Sequence, residues 1–193
     1  MGYIYFLLGG ARSGKSSYAE ELANNIGCKT AYIATAQIID EEMQKRIDIH
    51  RSRRPIGWKT FEFGSNTPSI KDFEEMIKTV SSENYKVVII DCITILLFRL
   101  IHKYRLDELE IISNSLEKKI EDETGLFFTE FLKLAASGSL KFIIVSNEVG
   151  MGVVPSYPLG RVFRDLMGTI NKQIAAASDE AYFFIAGLKQ KIK

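Results

Sequence analysis

The sequence of 193 residues is poor in cysteine and histidine and has almost no net charge. Its two cysteines, Cys28 and Cys92, belong to no CxxC or Cys/His pattern, which argues against a zinc site or disulfide framework and favours a reducing cytoplasm. Lys and Arg total 25 against 24 for Asp and Glu, a formal charge of +1. No global field would therefore draw the chain onto nucleic acid, and any affinity for anions must be local.

Long hydrophobic runs and targeting signals are also missing. The most apolar stretch, residues 87–101, is interrupted by Asp91 and Arg99 and is shorter than the roughly 20 residues that a membrane helix needs. The N-terminal MGYIYFLL lacks a basic region, and Phe6 stands where a myristoylation motif requires Ser or Thr. We therefore expect no targeting signal and no membrane insertion.

What the chain does have is an alternation of strand-like and helical patterns. Strands are predicted at residues 3–8, 30–34, 58–63, 86–90, 140–145 and 181–186. The runs VVII and FIIV are continuously apolar, which is typical of strands buried on both faces of a parallel sheet. The sequence predicts a single α/β domain, residues 1–193, with a mainly parallel sheet, helices on both faces and ligands at the carboxyl edge of the strands.

An apolar stripe at helical spacing runs through Leu109, Ile112, Leu116 and Ile120 and continues after Gly125. The second part of this stripe contains Phe127, Phe131 and Leu134, and Phe128 adds to the phenylalanine cluster beside it. These side chains are most simply core, although the phenylalanines could equally form an interface between subunits.

The first predicted strand is followed by GGARSGKS, which fits the phosphate-binding motif G-x-x-x-x-G-K-S and precedes a helical run. The glycines allow successive N–H groups to point inward, and the helix N-terminus adds positive potential. Lys15 supplies a mobile charge, and Ser16 can offer its hydroxyl to Mg²⁺. The predicted phosphate site consists of Gly9, Gly10, Ala11, Arg12, Ser13, Gly14, Lys15 and Ser16.

Asp91 ends the strand VVIID and is the predicted second protein ligand of Mg²⁺. An acidic residue at a strand end could instead cap the helix that follows, and the residues alone leave both roles open.

His50 lies near the end of a helix predicted over residues 40–54, which starts with acidic residues and stops before Pro55. Met43, Ile47 and His50 share one face of this helix. Neighbouring arginines oppose protonation of the imidazole, so a neutral ring could attack phosphorus while the arginines hold the anion under attack. A packed histidine, or a solvated basic helix end, is the alternative.

Polar residues near the end of the chain have two interpretations as well. Asn147 and Glu148 follow the strand KFIIVS, where they could contact substrate or metal, or could cap the next element. Arg161 and Asp165 are spaced to pair on a helix, with Arg164 on the same flank, and contact with a phosphate or another substrate group is the alternative. His102, Lys103 and Arg105 are interpreted as a solvated helix end.

Four segments in order carry a resemblance to a known family: GGARSGKS, YIATAQIIDEEMQKRIDIHRSRRPIGWKTFE, IIDCIT and VSNEVGMGVVPSYPLGRVFRDLMGTIN. Together they resemble the bifunctional adenosylcobinamide kinase and adenosylcobinamide-phosphate guanylyltransferase family of cobalamin synthesis. The likeness extends from about Tyr5 to the last residues and implies a P-loop NTPase-like fold, related to the RecA and Rossmann folds.

The resemblance implies an enzyme that phosphorylates adenosylcobinamide with ATP or GTP and then transfers GMP from GTP to that phosphate. The histidine of the matching H-R-x-R-R-P motif, His50, would carry GMP, with Lys15 as the second catalytic residue. It also implies Mg²⁺, a homo-oligomer such as a trimer, and nucleotide contacts by Ala34, Thr35, Ala36, Arg51, Ser52, Arg53, Arg54, Glu62 and Asp91. Glu62 or Asp91 could accept hydrogen bonds from guanine.

The sequence departs from the family pattern at Arg99, where asparagine is usual, at Lys172, where glutamine is common, and in GLKQKIK, which lacks a proline. These changes question the kinase half and the corrinoid specificity more than guanylyl transfer. A simple P-loop kinase and a nucleotide-dependent regulatory module, with residues 106–136 binding a partner, are the competing hypotheses.

Overall fold

The computed structural model describes residues 2–36, 41–52, 54–64 and 66–193, without the side chains of residues 42, 43, 46, 49 and 50. Within these ranges, seven strands form one sheet in the order β3-β2-β4-β5-β1-β6-β7. The strands are β1 (Tyr3–Gly9), β2 (Thr30–Ala34), β3 (Lys59–Glu62), β4 (Val87–Asp91), β5 (Lys141–Asn147), β6 (Glu180–Ile185) and β7 (Leu188–Lys191). All neighbouring pairs are parallel except β6 and β7.

The helices connect successive parallel strands. They are α1 (Lys15–Ile26), α2 (Glu41–Ser52), α3 (Ile70–Ser82), α4 (Ile93–His102), α5 (Asn114–Ser137) and α6 (Pro158–Ala177), with a short 3₁₀ helix at Leu106–Glu108. Local chemistry fixes their starts: Ser69 and Asp72 form a capping box at α3, the Ser113 hydroxyl accepts from the Leu116 N–H at α5, and Pro158 opens α6.

Two layers of apolar side chains enclose the sheet. The larger layer packs α3, α4, α5 and α6 against one face and includes the fully buried Phe6, Phe73 and Phe142. The smaller layer, with Ala19 and Ala23 of α1, covers the other face. Burial on both faces explains why the central strands are continuously apolar, as the sequence predicted.

The structure differs from the sequence prediction at two elements. Strand β7 is missed, because its LKQK sequence is exposed and polar and depends on pairing with β6 for its conformation. Helix α5 continues through Gly125, since one glycine costs only about 1 kcal/mol in a helix whose face is buried. Leu109 and Ile112, which the apolar stripe included, lie before the start of α5.

The phenylalanines of α5 belong to the core. Phe127, Phe128 and Phe131 are at most 9% exposed; Phe127 and Phe131 pack against Phe73 of α3, and Phe128 packs against both of them. An interface made of these side chains is therefore wrong. Both cysteines are free, with Cys28 exposed and Cys92 buried, and among the described residues no helix has the length and apolarity needed to cross a bilayer.

Candidate functional site

The carboxyl ends of five parallel strands meet along one edge of the sheet. Asn147 of β5 lies opposite Gly9 of β1, Asp91 of β4 lies opposite Val145 of β5, and Ala34 of β2 lies opposite both Asp91 and Glu62 of β3. Residues that are far apart in the sequence are thus brought into one row. Four strand spacings, about 19 Å, separate β1 from β3.

The phosphate-binding loop connects β1 to α1, as the motif predicts. Gly14 has φ +99°, a left-handed conformation that favours glycine, and it stands directly before the first helical residue, Lys15. The first turn of α1 therefore has its N-terminus at the loop, where free N–H groups and the helix dipole attract anions.

The Lys15 side chain is only 5% exposed and lies within the loop. Its ammonium group donates to the Gly10 carbonyl at 2.7 Å and to the Ser13 hydroxyl at 3.4 Å. Burial lowers the pKa of Lys15 from its ordinary value, while nearby Cys92 and Asp91 oppose the change. A phosphate in the loop would compensate the charge that burial penalises.

Asp91 does not cap α4. The N-cap of α4 is Cys92, with no side-chain capping bond, whereas the Asp91 carboxylate accepts a hydrogen bond from the Tyr32 hydroxyl at 2.6 Å. Burial, reinforced by Asp91, raises the pKa of Tyr32, so its hydroxyl stays protonated and remains a donor. The capping alternative for Asp91 is thus wrong, and its carboxylate is held at the sheet edge by a neighbouring strand.

A cavity of about 430 Å³ opens along this edge. Its size falls within the about 300–1,000 Å³ of small-molecule sites. Among the described residues, nine that were predicted for the site line it: Ala11, Arg12, Lys15, Ser16, Ala34, Ala36, Arg54, Glu62 and Asp91. Residues that the site prediction did not include also line it: Tyr32, Ile47, Cys92, Ile95, Val145 and Asn147.

Position 50 belongs to helix α2, and this helix borders the cavity through Ile47. The His50 side chain and all of Arg53 lie outside the described residues. Arg51 is exposed and forms an ion pair with Glu62, and this hydrogen bond raises the pKa of Arg51. Ser52 is likewise exposed.

Arg54 extends from the end of this segment over the ring of Tyr32, with its guanidinium carbon 3.6 Å from the ring centroid. It also donates to the Thr60 hydroxyl at 2.9 Å. A guanidinium stacked on an aromatic face is oriented while its N–H groups stay available, so Arg54 is placed to bind an anion in the cavity.

Thr35 is buried and stabilises the ends of the two strands that border the cavity. Its hydroxyl donates to the Cys92 carbonyl at 2.8 Å and accepts from the Cys92 N–H at 2.7 Å, which joins β2 to β4 beyond their ends. Arg99, a departure from the family pattern, donates to the carbonyls of Thr35, Gly64 and Asn66. Arg99 thus fastens the β3–α3 connection to the strand end that carries Ala34 and Ala36.

Asn147 and Glu148 have different roles. Asn147 lines the cavity, and its backbone is fixed by the Thr94 hydroxyl, which accepts from its N–H, and by Asn171, which donates to its carbonyl. The Glu148 carboxylate accepts from the Gly150 N–H at 2.6 Å, so it shapes the turn after the strand. Of the two interpretations that the sequence left open, a position at the site therefore fits Asn147 and a local cap fits Glu148.

Residues beyond this edge are held by local contacts. The predicted Arg161–Asp165 pair is wrong, because Asp165 pairs with Arg164 and Arg161 donates to the carbonyls of Pro155 and Ser156. Lys172 is exposed on α6, next to the buried Asn171. His102, Lys103 and Arg105 are exposed at the end of α4, as expected.

Comparisons with known proteins agree with this architecture. Residues 5–192 match the sequence model of the family described as cobinamide kinase / cobinamide phosphate guanyltransferase. The bifunctional adenosylcobalamin biosynthesis protein CobU of Escherichia coli is 37% identical over 192 residues, which cover 98% of this chain and 99% of that protein. Its counterpart CobP of Pseudomonas aeruginosa is 35% identical over 191 residues, with 97% and 95% covered.

A solved structure adds information on the fold alone. An ATPase from the type III secretion system of pathogenic bacteria matches with a TM-score of 0.61 and 10% identity, over 99% of this chain and 57% of its own. The predicted class, a mainly parallel P-loop NTPase-like sheet with helices on both faces, is confirmed.

Proposed function

The chain belongs to the cobinamide kinase / cobinamide phosphate guanyltransferase family, and we propose from this that it phosphorylates adenosylcobinamide and then transfers GMP from GTP to the resulting phosphate. The observation that carries the proposal is the cavity at the sheet edge, which gathers Lys15 and Ser16 of the loop, Asp91, Arg54, Glu62 and the α2 residue Ile47. Two phosphoryl-type reactions then share one nucleotide site.

The kinase step needs a triphosphate held at the loop. The acceptor hydroxyl oxygen of adenosylcobinamide attacks the γ-phosphorus and releases its proton to solvent, the bond from that phosphorus to the bridging oxygen breaks, and the nucleoside diphosphate leaves. Lys15 and the loop N–H groups neutralise charge on the phosphates. ATP and GTP are both compatible with this step.

The guanylyl step assigns His50 as the nucleophile. An imidazole nitrogen attacks the α-phosphorus of GTP, a P–N bond forms and pyrophosphate leaves. The phosphate oxygen of adenosylcobinamide phosphate then attacks the same phosphorus, which breaks the P–N bond and gives adenosylcobinamide-GDP. Helical spacing supports the assignment, since a residue three positions after Ile47 lies on the same face of α2.

Guanine and metal are assigned to different carboxylates. Ser16 and Asp91 line the same cavity and offer a hydroxyl and a carboxylate, the hard oxygen ligands that Mg²⁺ accepts beside phosphate and water. The ion would supply charge neutralisation for the triphosphate. Glu62, four strands from β1, is the acceptor proposed for the guanine N1–H and N2–H₂ groups.

The two histidines of the chain allow a matched test. GTP labelled at its α-phosphate is incubated with the protein and Mg²⁺ without corrinoid, and the protein is then denatured. We expect an acid-labile, base-stable label that is lost in His50→Ala and retained in His102→Ala, because His102 is exposed at the end of α4. Retention of GTP binding by His50→Ala shows that its site is intact.

Two results contradict the assignment. A label that persists in His50→Ala moves the nucleophile elsewhere. No label on the wild type favours a simple P-loop kinase, if adenosylcobinamide is still phosphorylated, or a regulatory module, if nucleotide is only bound. A homo-oligomer, in particular a trimer, and a cytoplasmic location remain predictions; sedimentation of the purified chain tests the first.

A further inference from the structure

An exposed apolar segment continues from the cavity. Residues 149–157, VGMGVVPSY, join β5 to α6 and contain no charged side chain. Five of their large apolar side chains are 37% to 94% exposed: Val149, Met151, Val153, Val154 and Tyr157. Single exposed apolar residues are ordinary, but five within nine consecutive residues are a concentration of the kind that marks a binding surface.

Both ends of this segment are fastened to the protein. At its start, the Glu148 N–H donates to the Gly9 carbonyl at 3.0 Å, next to the phosphate-binding loop. At its end, the Arg161 guanidinium donates to the Ser156 carbonyl at 2.7 Å. Gly160 lets the chain pass closely, because a Cβ there would lie 2.7 Å from Pro155 and 2.8 Å from the Tyr157 ring.

The position of the segment relative to the cavity limits what it can bind. Asn147 lines the cavity, and Val149 follows two residues later, so the apolar surface starts within about 7 Å of chain from the cavity wall. The tie to Gly9 places this start at the phosphate end, four strands away from Glu62. A molecule on this surface would therefore lie next to the phosphate-binding loop.

We propose that segment 149–157 is the surface that receives the corrin macrocycle of the acceptor substrate while the hydroxyl or phosphate arm of that substrate enters the cavity beside Asn147. This rests on the proposed function. With a nucleotide bound, a cavity of about 430 Å³ would leave no room for the macrocycle, which would then stay outside. The methyl groups and neutral carboxamides at the periphery of a cobinamide match an apolar, uncharged surface.

The test uses the double variant Met151→Gln/Val153→Gln of the full chain. Both side chains are at least 80% exposed, so the variant is expected to fold. We expect the KM for adenosylcobinamide phosphate to rise roughly tenfold or more, since two apolar contacts are lost. The KM for GTP and the self-labelling from GTP should not change. The conservative pair Met151→Leu/Val153→Ile should keep the wild-type KM.

A matched control is Ile111→Gln/Leu126→Gln, which alters two side chains that are 83% and 64% exposed but lie before and within α5. An unchanged KM for the corrinoid phosphate in the Met151/Val153 variant overturns the proposal, as does an equal rise in the control. Sedimentation of each variant completes the test, because a change in oligomeric state would assign the segment to a subunit contact and overturn the proposal.

Failure of the proposed function gives a different result. If the wild type carries no label from GTP, calorimetric titration with adenosylcobinamide alone still tests the surface. Weaker binding by the Gln variant than by the wild type supports the proposal, and equal binding contradicts it.

Discussion

At the scale of single residues, the hydroxyl of Tyr32 controls the orientation of Asp91. The hydrogen bond between them is 2.6 Å long and joins β2 to β4 at the cavity. We predict that Tyr32→Phe raises the Mg²⁺ concentration for half-maximal GMP transfer by roughly tenfold, because partners of a ligating carboxylate typically contribute that much to metal affinity. A Mg²⁺ titration of activity at saturating GTP measures the change.

The phenyl ring of that variant keeps the stacking surface for Arg54, so loss of the hydroxyl is the only intended change. Tyr85→Phe is the control, since Tyr85 is buried beside Lys29, away from the cavity. If Tyr32→Phe shows the Mg²⁺ dependence of the wild type, Asp91 is not the metal ligand.

At the scale of elements, Arg99 of α4 connects three segments. It is 7% exposed, and its guanidinium donates to the carbonyls of Thr35, Gly64 and Asn66. Burial lowers the pKa of Arg99 from its ordinary value, yet a guanidinium stays charged at neutral pH. Hydrogen bonds from a charged donor are stronger than neutral ones, so this side chain stabilises the β3–α3 connection.

We predict that Arg99→Ala lowers the free energy of unfolding by about 2–4 kcal/mol, since it removes several charge-assisted hydrogen bonds and leaves a void. Urea unfolding followed by circular dichroism measures this loss. The KM for GTP should rise as well, because Thr35 and Glu62 flank the released connection, while kcat changes less.

Arg105→Ala is the matched control for that substitution. Arg105 pairs with Glu108 on the surface, with its side chain 72% exposed, and such pairs contribute less than about 1 kcal/mol. Equal losses in the two variants would mean that Arg99 acts only as a surface charge.

Glu180 links the three neighbouring strands β1, β6 and β7. Its carboxylate accepts hydrogen bonds from Lys191 of β7, from Tyr182 of β6 and from Tyr3 of β1. These hydrogen bonds, of which the one from Lys191 contributes most, hold the pKa of Glu180 at about 2, below its ordinary value of 4.5. A carboxyl whose folded pKa is depressed stabilises the protein above its unfolded pKa and loses that contribution as the pH falls towards 2.

We predict that Glu180→Gln lowers the free energy of unfolding by about 1–2 kcal/mol at pH 7. Solvent screening makes this loss smaller than the pKa shift alone would give. The difference from the wild type should shrink as the pH falls from about 4.5 towards 2, since the wild-type carboxylate is then protonated too. Urea unfolding at pH 7, 5, 4 and 3 measures the difference.

Glu130→Gln provides the comparison for this series. Glu130 pairs with Lys133 on the exposed face of α5, and its loss should change the free energy of unfolding by less than about 0.5 kcal/mol. A difference between Glu180→Gln and the wild type that stays constant down to pH 3 would show that the ionised carboxylate is not what stabilises these strands.

At the scale of the whole molecule, the parts that local chemistry determines could be predicted from the sequence. The phosphate loop is a contiguous motif, and the six parallel strands carry runs of β-branched and aromatic residues long enough to recognise. Their common carboxyl edge follows from parallel pairing, so the sequence patterns alone were enough to expect Lys15 and Asp91 at one site.

The parts that depend on contacts between distant segments could not be predicted. Tyr32 enters the cavity because β2 pairs with β4 and points this residue to the same side as Asp91, which no local pattern shows. Arginine is usually a surface residue, and Arg99 is buried because three backbone carbonyls accept hydrogen bonds from it. Strand β7 exists because a hairpin turn returns it to β6.

The α5 phenylalanines stabilise the chain as core residues, and a core role predicts a loss of stability without a change of oligomeric state. Phe128 is fully buried, with its ring centroid 5.3 Å from that of Phe127, whereas Leu126, two residues earlier, is 64% exposed. We predict that Phe128→Ala lowers the free energy of unfolding by about 3–5 kcal/mol without changing the oligomeric state, since it opens a cavity inside one chain. Leu126→Ala should change stability by less than about 0.5 kcal/mol. Urea unfolding and sedimentation of both variants measure this, and dissociation of an oligomer by Phe128→Ala at unchanged chain stability would return these rings to an interface.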